Sequence, residues 1–148
     1  MQGEAVGGSV AESVGEILRR HQGRAGALLP ILNDVQAALG HVPTTAVPLI
    51  AEALNLSRAE VHGVVTFYHD YKAAPADRPV IKLCRAEACQ ARGVEALAPL
   101  FEGDERIAVE TVYCLGLCAS GPNAMIGERL VARLDEAAAR KLIGEVAA

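Results

Sequence analysis

The run Cys114-Leu-Gly-Leu-Cys118-Ala-Ser-Gly-Pro122 pairs with an earlier one, Cys84-Arg-Ala-Glu-Ala-Cys89, and together they hold all four cysteines of the 148-residue chain. The spacing is C-x4-C, then twenty-four residues, then C-x3-C. Each pair begins where an apolar run ends. Val80-Ile-Lys-Leu leads into Cys84, and the alternating Ile107-Ala-Val-Glu-Thr-Val-Tyr113 leads into Cys114. Both runs predict strands. If they are neighbours in one sheet, all four thiols collect at one edge. Arg85 and Arg92 are positive charges close by in sequence that help to hold four thiolates together.

Three chemistries use such a cluster of thiols. Structural zinc takes tetrahedral Cys₄, usually with at least one tight C-x₂-C knuckle, and neither pair has that spacing. A dithiol oxidoreductase takes C-x-x-C, which is absent. An iron–sulfur cluster takes four thiolates and a lining of main-chain N–H donors for its charged sulfides. Gly116 and Gly121 allow the close main-chain approach that such a lining needs. Two separated pairs suit a [2Fe–2S] cluster best, with structural zinc and metal-free thiols as the alternatives.

Working outward, residues 94–101 predict part of a helix. Residues 124–127 and 129–133 predict a hairpin around Gly127-Glu128, and Asp135 caps a final helix through Val146. The order β-α-β-β-β-α gives a compact α/β module. Before it, Ala73-Ala-Pro-Ala-Asp-Arg-Pro79 reads as a turn-rich boundary. Residues 1–72 then form a helical bundle, with residues 1–10 Gly-rich and frayed. Val10, Val14, Ile17 and Leu18 share one helical face ending in Arg19-Arg20-His21. Leu28, Ile31, Leu32, Val35 and Leu39 share another, stopped at Gly40. A third helix starts near Thr45, and a fourth opens on the capping-box pattern Ser57-Arg-Ala-Glu60. The whole is an α+β chain.

With 14 Lys and Arg against 18 Asp and Glu, the net charge of −4 argues against broad binding to nucleic acid or anionic membranes. No stretch approaches the roughly 20 apolar residues of a membrane span, and no secretory signal is visible. A cytoplasmic location is therefore expected, where clustered cysteines bind metal or do redox chemistry. There is no G-x-G-x-x-G, P-loop, nucleophile elbow or H-E-x-x-H, so no catalytic residue is assigned. His62, His69 and Asp70 read as surface or helix-end groups, and Glu87 as a charge between the first two cysteines whose direction is open. Phe67, Tyr68 and Tyr71 are expected to pack between the bundle and the α/β domain, an exposed share being free to dock a partner. The segment Ile50 to Val64 also has the outline of a helix-turn-helix, a remote alternative of a redox-sensing DNA-binding regulator. Glu60 beside Arg58 weakens it, because DNA affinity needs several phosphate-neutralising cations.

The paired cysteines, the Cys114-to-Pro122 loop and Glu60-Val-His-Gly-Val-Val-Thr-Phe-Tyr68 together resemble the thioredoxin-like [2Fe–2S] ferredoxin family. That family includes the 24-kDa-type subunit of NADH:quinone oxidoreductase and related subunits of NAD-linked hydrogenases and formate dehydrogenases. The resemblance runs from about Val10 to Val146. It implies an N-terminal helical bundle (1–72), then a thioredoxin-like domain (80–148) in which Cys84 and Cys89 bind one iron and Cys114 and Cys118 the other. Cys84-Arg-Ala-Glu-Ala-Cys-Gln-Ala-Arg-Gly93 and Val61-His-Gly-Val64 are most similar to the gamma subunits of NAD-dependent molybdenum formate dehydrogenases. That likeness implies a cytoplasmic complex: one partner subunit holds FMN and NAD, and another holds molybdenum cofactor and oxidises formate to carbon dioxide.

Overall fold

The computed structural model describes residues 9–148. The frayed start expected for residues 1–10 falls almost wholly outside the described residues. The chain divides between Pro75 and Ala76 into two compact units.

The first unit is helical. Helix α1 (Val10–Arg20) starts on a complete capping box: the Ser9 side chain accepts from the Glu12 amide, and Glu12 accepts the Ser9 amide in return. Helix α2 (Leu28–Leu39) stops where Gly40 turns left-handed at φ 74°, which costs glycine nothing. Helix α3 (Ala46–Leu54) ends on Asn55, also left-handed, and α4 (Arg58–Phe67) begins on the Ser57/Glu60 capping box. One face of each helix meets in a common core, with Val14, Leu32, Val35, Ile50 and Val61 fully buried. His21 and Arg20 close α1 against Asp34 of α2, with His21 Nε2 2.8 Å from Asp34 Oδ2. The hydrogen bond with His21 holds the Asp34 carboxyl below the usual carboxylate range, and Arg20 adds to it.

Tyr71 packs within the helical unit. Its ring lies against the bundle core and its hydroxyl donates to Asn33 Oδ1 at 2.7 Å. Phe67 and Tyr68 are the exposed members of the three. They remain 74% and 43% exposed and pack edge to face on each other, with ring centroids 5.1 Å apart.

The second unit is a four-stranded sheet with helices. Strand β1 (Val80–Cys84) pairs in parallel with β2 (Ala108–Val112) and antiparallel with β3 (Ala124–Ile126), which pairs antiparallel with β4 (Arg129–Val131). The order is β2-β1-β3-β4. A short helix α5 (Glu87–Ala91) and α6 (Val94–Glu102) connect β1 to β2, and α7 (Glu136–Val146) closes the chain from the Asp135 cap. Ile81, Leu83, Val94, Phe101, Ala124 and Ala139 form a core with no exposure. Strand β2 is shorter than its alternating pattern: the Ile107 amide donates to Asp104 in a turn, and the ladder starts with Ala108 donating to Pro79. Strand β4 stops early because Arg133 turns left-handed at φ 55° and its amide donates to Ser120 at 2.7 Å. No helix among the described residues is long and apolar enough to cross a membrane.

Candidate metal centre

Strands β1 and β2 are neighbours, in register from Val80 opposite Ala108 to Cys84 opposite Val112. They therefore end together, and both cysteine loops leave from the same edge of the sheet. The Arg85 amide ties the two exits by donating to the Val112 carbonyl at 2.9 Å. After Arg85 the chain turns into α5, which carries Cys89 back toward Cys84. After β2 it passes Tyr113 and reaches Cys114 at φ 79°, a left-handed conformation that costs a side-chain-bearing residue about 1–3 kcal/mol. Gly116 follows at φ 78°. These reversals turn main-chain N–H groups inward, the concavity that favours negative charge.

The four sulfurs stand two and two. Cys84 and Cys89 are buried, 2% and 1% exposed, and each perturbs the titration of the other. Cys114 and Cys118 are exposed, with Sγ atoms 3.6 Å apart. Amide donors surround them. Burial pushes the Cys84 thiol up, but the amides of Ala86, Cys114 and Leu115 and the Cys89 thiol outweigh it and hold Cys84 below its ordinary value. The Gly116 amide donates to Cys114 Sγ at 3.4 Å. Burial and the Cys84 neighbour push Cys89 up, as the Cys114 neighbour does Cys118. Cys89 and Cys118 thus resist ionising beside their neighbours, and a bound cation would relieve that resistance.

The residues fit an iron–sulfur cluster. Among the described residues no three His, Cys, Asp or Glu side chains converge as ligands of one ion, whereas mononuclear zinc needs four on one centre. Two thiolate pairs edged by N–H donors match a binuclear cluster, whose charge those donors stabilise. Gly121 adds a close approach: a Cβ on it would stand 3.1 Å from Cys89 Sγ. The 3₁₀ turn Cys118–Ser120 delivers the chain to this point, where the Gly121–Pro122 peptide is cis.

Comparison with family models decides between the cluster and zinc: the model described as "Thioredoxin-like [2Fe-2S] ferredoxin" matches residues 14–147. The chain belongs to that family. As a thioredoxin-like [2Fe–2S] ferredoxin it has an α+β fold and one [2Fe–2S] cluster as its cofactor. Relatives include the NADP-reducing hydrogenase subunit HndA of Solidesulfovibrio fructosivorans, 26% identical over 133 residues that cover 82% of this chain and 78% of that one. An NADH-quinone oxidoreductase subunit from Escherichia coli (strain K12) is 30% identical over 143 residues, covering 89% of this chain and 86% of that one. Among solved structures, an NAD+-reducing [NiFe]-hydrogenase in its H2-reduced state superposes with a TM-score of 0.70 at 26% identity, covering 82% of this chain. The ferredoxin spans only 22% of that hydrogenase chain.

Some residues near the cysteines in sequence turn elsewhere. Arg85 reaches away to Glu95 and to Glu102, where Nη1 lies 2.9 Å from the carboxylate. The aliphatic stem of Arg92 stays close, its Cδ 3.1 Å from where a Cβ on Gly121 would stand. Glu87 is exposed in the first turn of α5. Asn123 is a site residue that sequence reasoning missed. It is 1% exposed and donates through Nδ2 to Leu117 O at 2.8 Å and toward Cys89 Sγ at 3.7 Å. Its only sequence signal is a polar side chain between a Gly-Pro turn and an apolar strand. The helix-turn-helix outline at α3 and α4 is present as two helices joined at Asn55, but α4 supplies a single arginine, Arg58.

Proposed function

We propose that this chain is the electron-transfer subunit of an NAD-linked oxidoreductase complex. Cys84 and Cys89 bind one iron of its [2Fe–2S] cluster, and Cys114 and Cys118 bind the other. The observation that carries this reading is the convergence of a buried and an exposed cysteine pair beside inward-turned amides, in a chain of this family. When bound, the cluster supplies one-electron transfer. The protein does the rest with structure. The hydrophobic core around Cys84 and Cys89 excludes water from one side. The amides of Ala86, Cys114, Leu115 and Gly116 offset negative charge. The exposed Cys114 and Cys118 present the other side to a partner over a short distance. No side chain is asked to act as an acid or base.

The relatives supply the setting, since they are subunits of a hydrogenase and of NADH-quinone oxidoreductase. FMN and NAD belong on a partner subunit, because the sequence has no dinucleotide-binding loop of its own. Within this class the parent complex is a cytoplasmic formate dehydrogenase, whose substrate-oxidising subunit holds molybdenum cofactor. The stretch from Cys84 to Gly93 supports that choice. The cluster resides in residues 80–148, and residues 1–72 are a separate helical module, consistent with the division at Pro75.

Purification of the native complex tests this. Co-purifying flavoprotein and formate-dependent reduction of NAD are expected. Hydrogen- or quinone-linked activity in place of formate would move the chain to the hydrogenase or quinone-reductase setting, and the absence of any flavoprotein partner would overturn the reading.

A further inference from the structure

Three adjoining cavities on the helical unit, of about 310, 240 and 590 Å³, form one groove. Arg24 and Leu54 wall both the first and the second, and Leu28 and Leu56 wall both the second and the third. At its far end the groove runs along α4 past Gly63 to Phe67, which stands 74% exposed. Gly63 lies in the interior of α4, where glycine is less favourable than alanine. Its φ is not positive, and a Cβ built on it would meet no atom within 4 Å among the described residues. Neither backbone conformation nor packing within the unit requires glycine there, whereas a second backbone passing close over α4 does. The two ends of the groove differ in charge. Arg24 makes no ion pair among the described residues, Asp34 being engaged by His21 and Arg20. On the α4 wall Glu60 accepts the Ser57 amide at 2.8 Å, which keeps its carboxyl ionised.

We propose that this groove docks an amphipathic helix of a partner subunit, with large apolar side chains seated between Leu56, Gly63 and Phe67 and an Asp or Glu on Arg24. The proposal rests on the reading of the chain as one subunit of a complex. A helix laid in a groove presents apolar anchors at i, i+4 and i+7. Bare Gly63 lets the backbone of that helix come close to α4. Phe67 then passes from water into the contact, the kind of aromatic that anchors an interface. The charges fix the direction in which the helix lies. Its acidic residue belongs at the Arg24 end, because Glu60 repels a carboxylate at the other. A second copy of this chain is a poorer occupant: about a two-fold axis the patch faces itself, and two concave surfaces do not fill each other.

The test uses the full chain in its native complex. With p-benzoylphenylalanine in place of Phe67, irradiation should cross-link the chain to one helix of a partner subunit. That helix should carry apolar residues at the stated spacing and an Asp or Glu at the end near Arg24. Gly63→Leu fills the groove with a side chain for which the free chain has room. Its urea midpoint should equal or exceed that of the wild type, while the share of the chain recovered with the complex falls about tenfold. Arg24→Glu should lower that share about threefold to tenfold, and exchanging the partner's acidic residue for Arg should restore it. Cross-links to a second copy or to this chain's own residues, or recovery of both variants at the wild-type share, overturn the inference alone. If Gly63→Leu lowers the urea midpoint, Arg24→Glu and the cross-link decide. A wild-type chain that purifies with no partner subunit overturns the proposed function and this inference with it.

Discussion

Gly121 packs bare against Cys89: a methyl group on Gly121 would sit 3.1 Å from Cys89 Sγ and 3.6 Å from its Cα. The backbone there, at φ −69° and ψ 163°, is open to any residue, so glycine is required by space and not by conformation. Arg92 Cδ, also 3.1 Å from that methyl, closes the remaining direction. The second loop thus comes close enough to the first to set where the Cys89 sulfur lies.

Gly121→Ala should therefore push Cys89 Sγ out of place by a few tenths of an ångström. Overpacking of this kind costs about 1–3 kcal/mol. Lower cluster content per chain and an earlier thermal transition are expected, measured by iron analysis and by circular dichroism. Full cluster content with unchanged melting would show that Gly121 has more room than its contacts indicate.

Cys118→Ser removes one of the two exposed thiols. The cluster should be lost or its spectrum altered, while the helical signal from α1 to α4 is retained, since Cys118 lies in the other unit. An unchanged cluster spectrum would contradict the assignment of Cys118 as a ligand.

Asp104 should titrate far below an ordinary aspartate. Arg106 donates to it from Nε at 3.0 Å, from Nη2 at 2.7 Å and from its amide at 3.0 Å, holding the carboxyl at about 2. A depressed folded-state value means that the pair contributes stability above the unfolded aspartate range. That contribution is lost as pH falls toward 2. Arg106→Gln should raise the Asp104 value toward 3.8 in a carbon-detected nuclear magnetic resonance titration. The acid sensitivity from this site should shrink with it.

Ser57→Ala removes half of the capping box that starts α4. N-cap substitutions of this type cost about 1 kcal/mol, readable as a lower midpoint in urea. The Ser57 amide holds the Glu60 carboxyl below its usual range, so the other half of the box weakens as that carboxylate protonates in acid. An unshifted midpoint at neutral pH would mean that the helix start is held by packing alone.

The helices were legible because each carries its own instructions. The apolar spacing from Leu28 to Leu39 ends on a glycine that does turn left-handed, and Ser57 and Glu60 form the reciprocal bonds their spacing announces. Val80–Cys84 was equally plain as a short β-rich run between a proline turn and a helix. The ends of β2 and β4 were not, because Ile107 and Arg133 are claimed by turn hydrogen bonds to Asp104 and Ser120 that no alternation of apolar residues encodes. Helix α5 is only five residues long, too short to show a period. Cysteine spacing revealed the two pairs, and strand pairing accounts for their meeting. Asn123 stayed hidden because its role depends on β3 lying beside β1, a contact made across roughly forty residues of chain. Arg85 misled in the opposite sense: its place next to Cys84 suggested a charge for the thiolates, but Glu95 and Glu102 offer its guanidinium better geometry.

Iron and acid-labile sulfide, measured per chain in anaerobically purified protein, bear most directly on the central claim that Cys84, Cys89, Cys114 and Cys118 hold a binuclear cluster. The account predicts two irons and two sulfides per chain, with a rhombic electron paramagnetic resonance signal on reduction. Stoichiometric zinc without sulfide would contradict it.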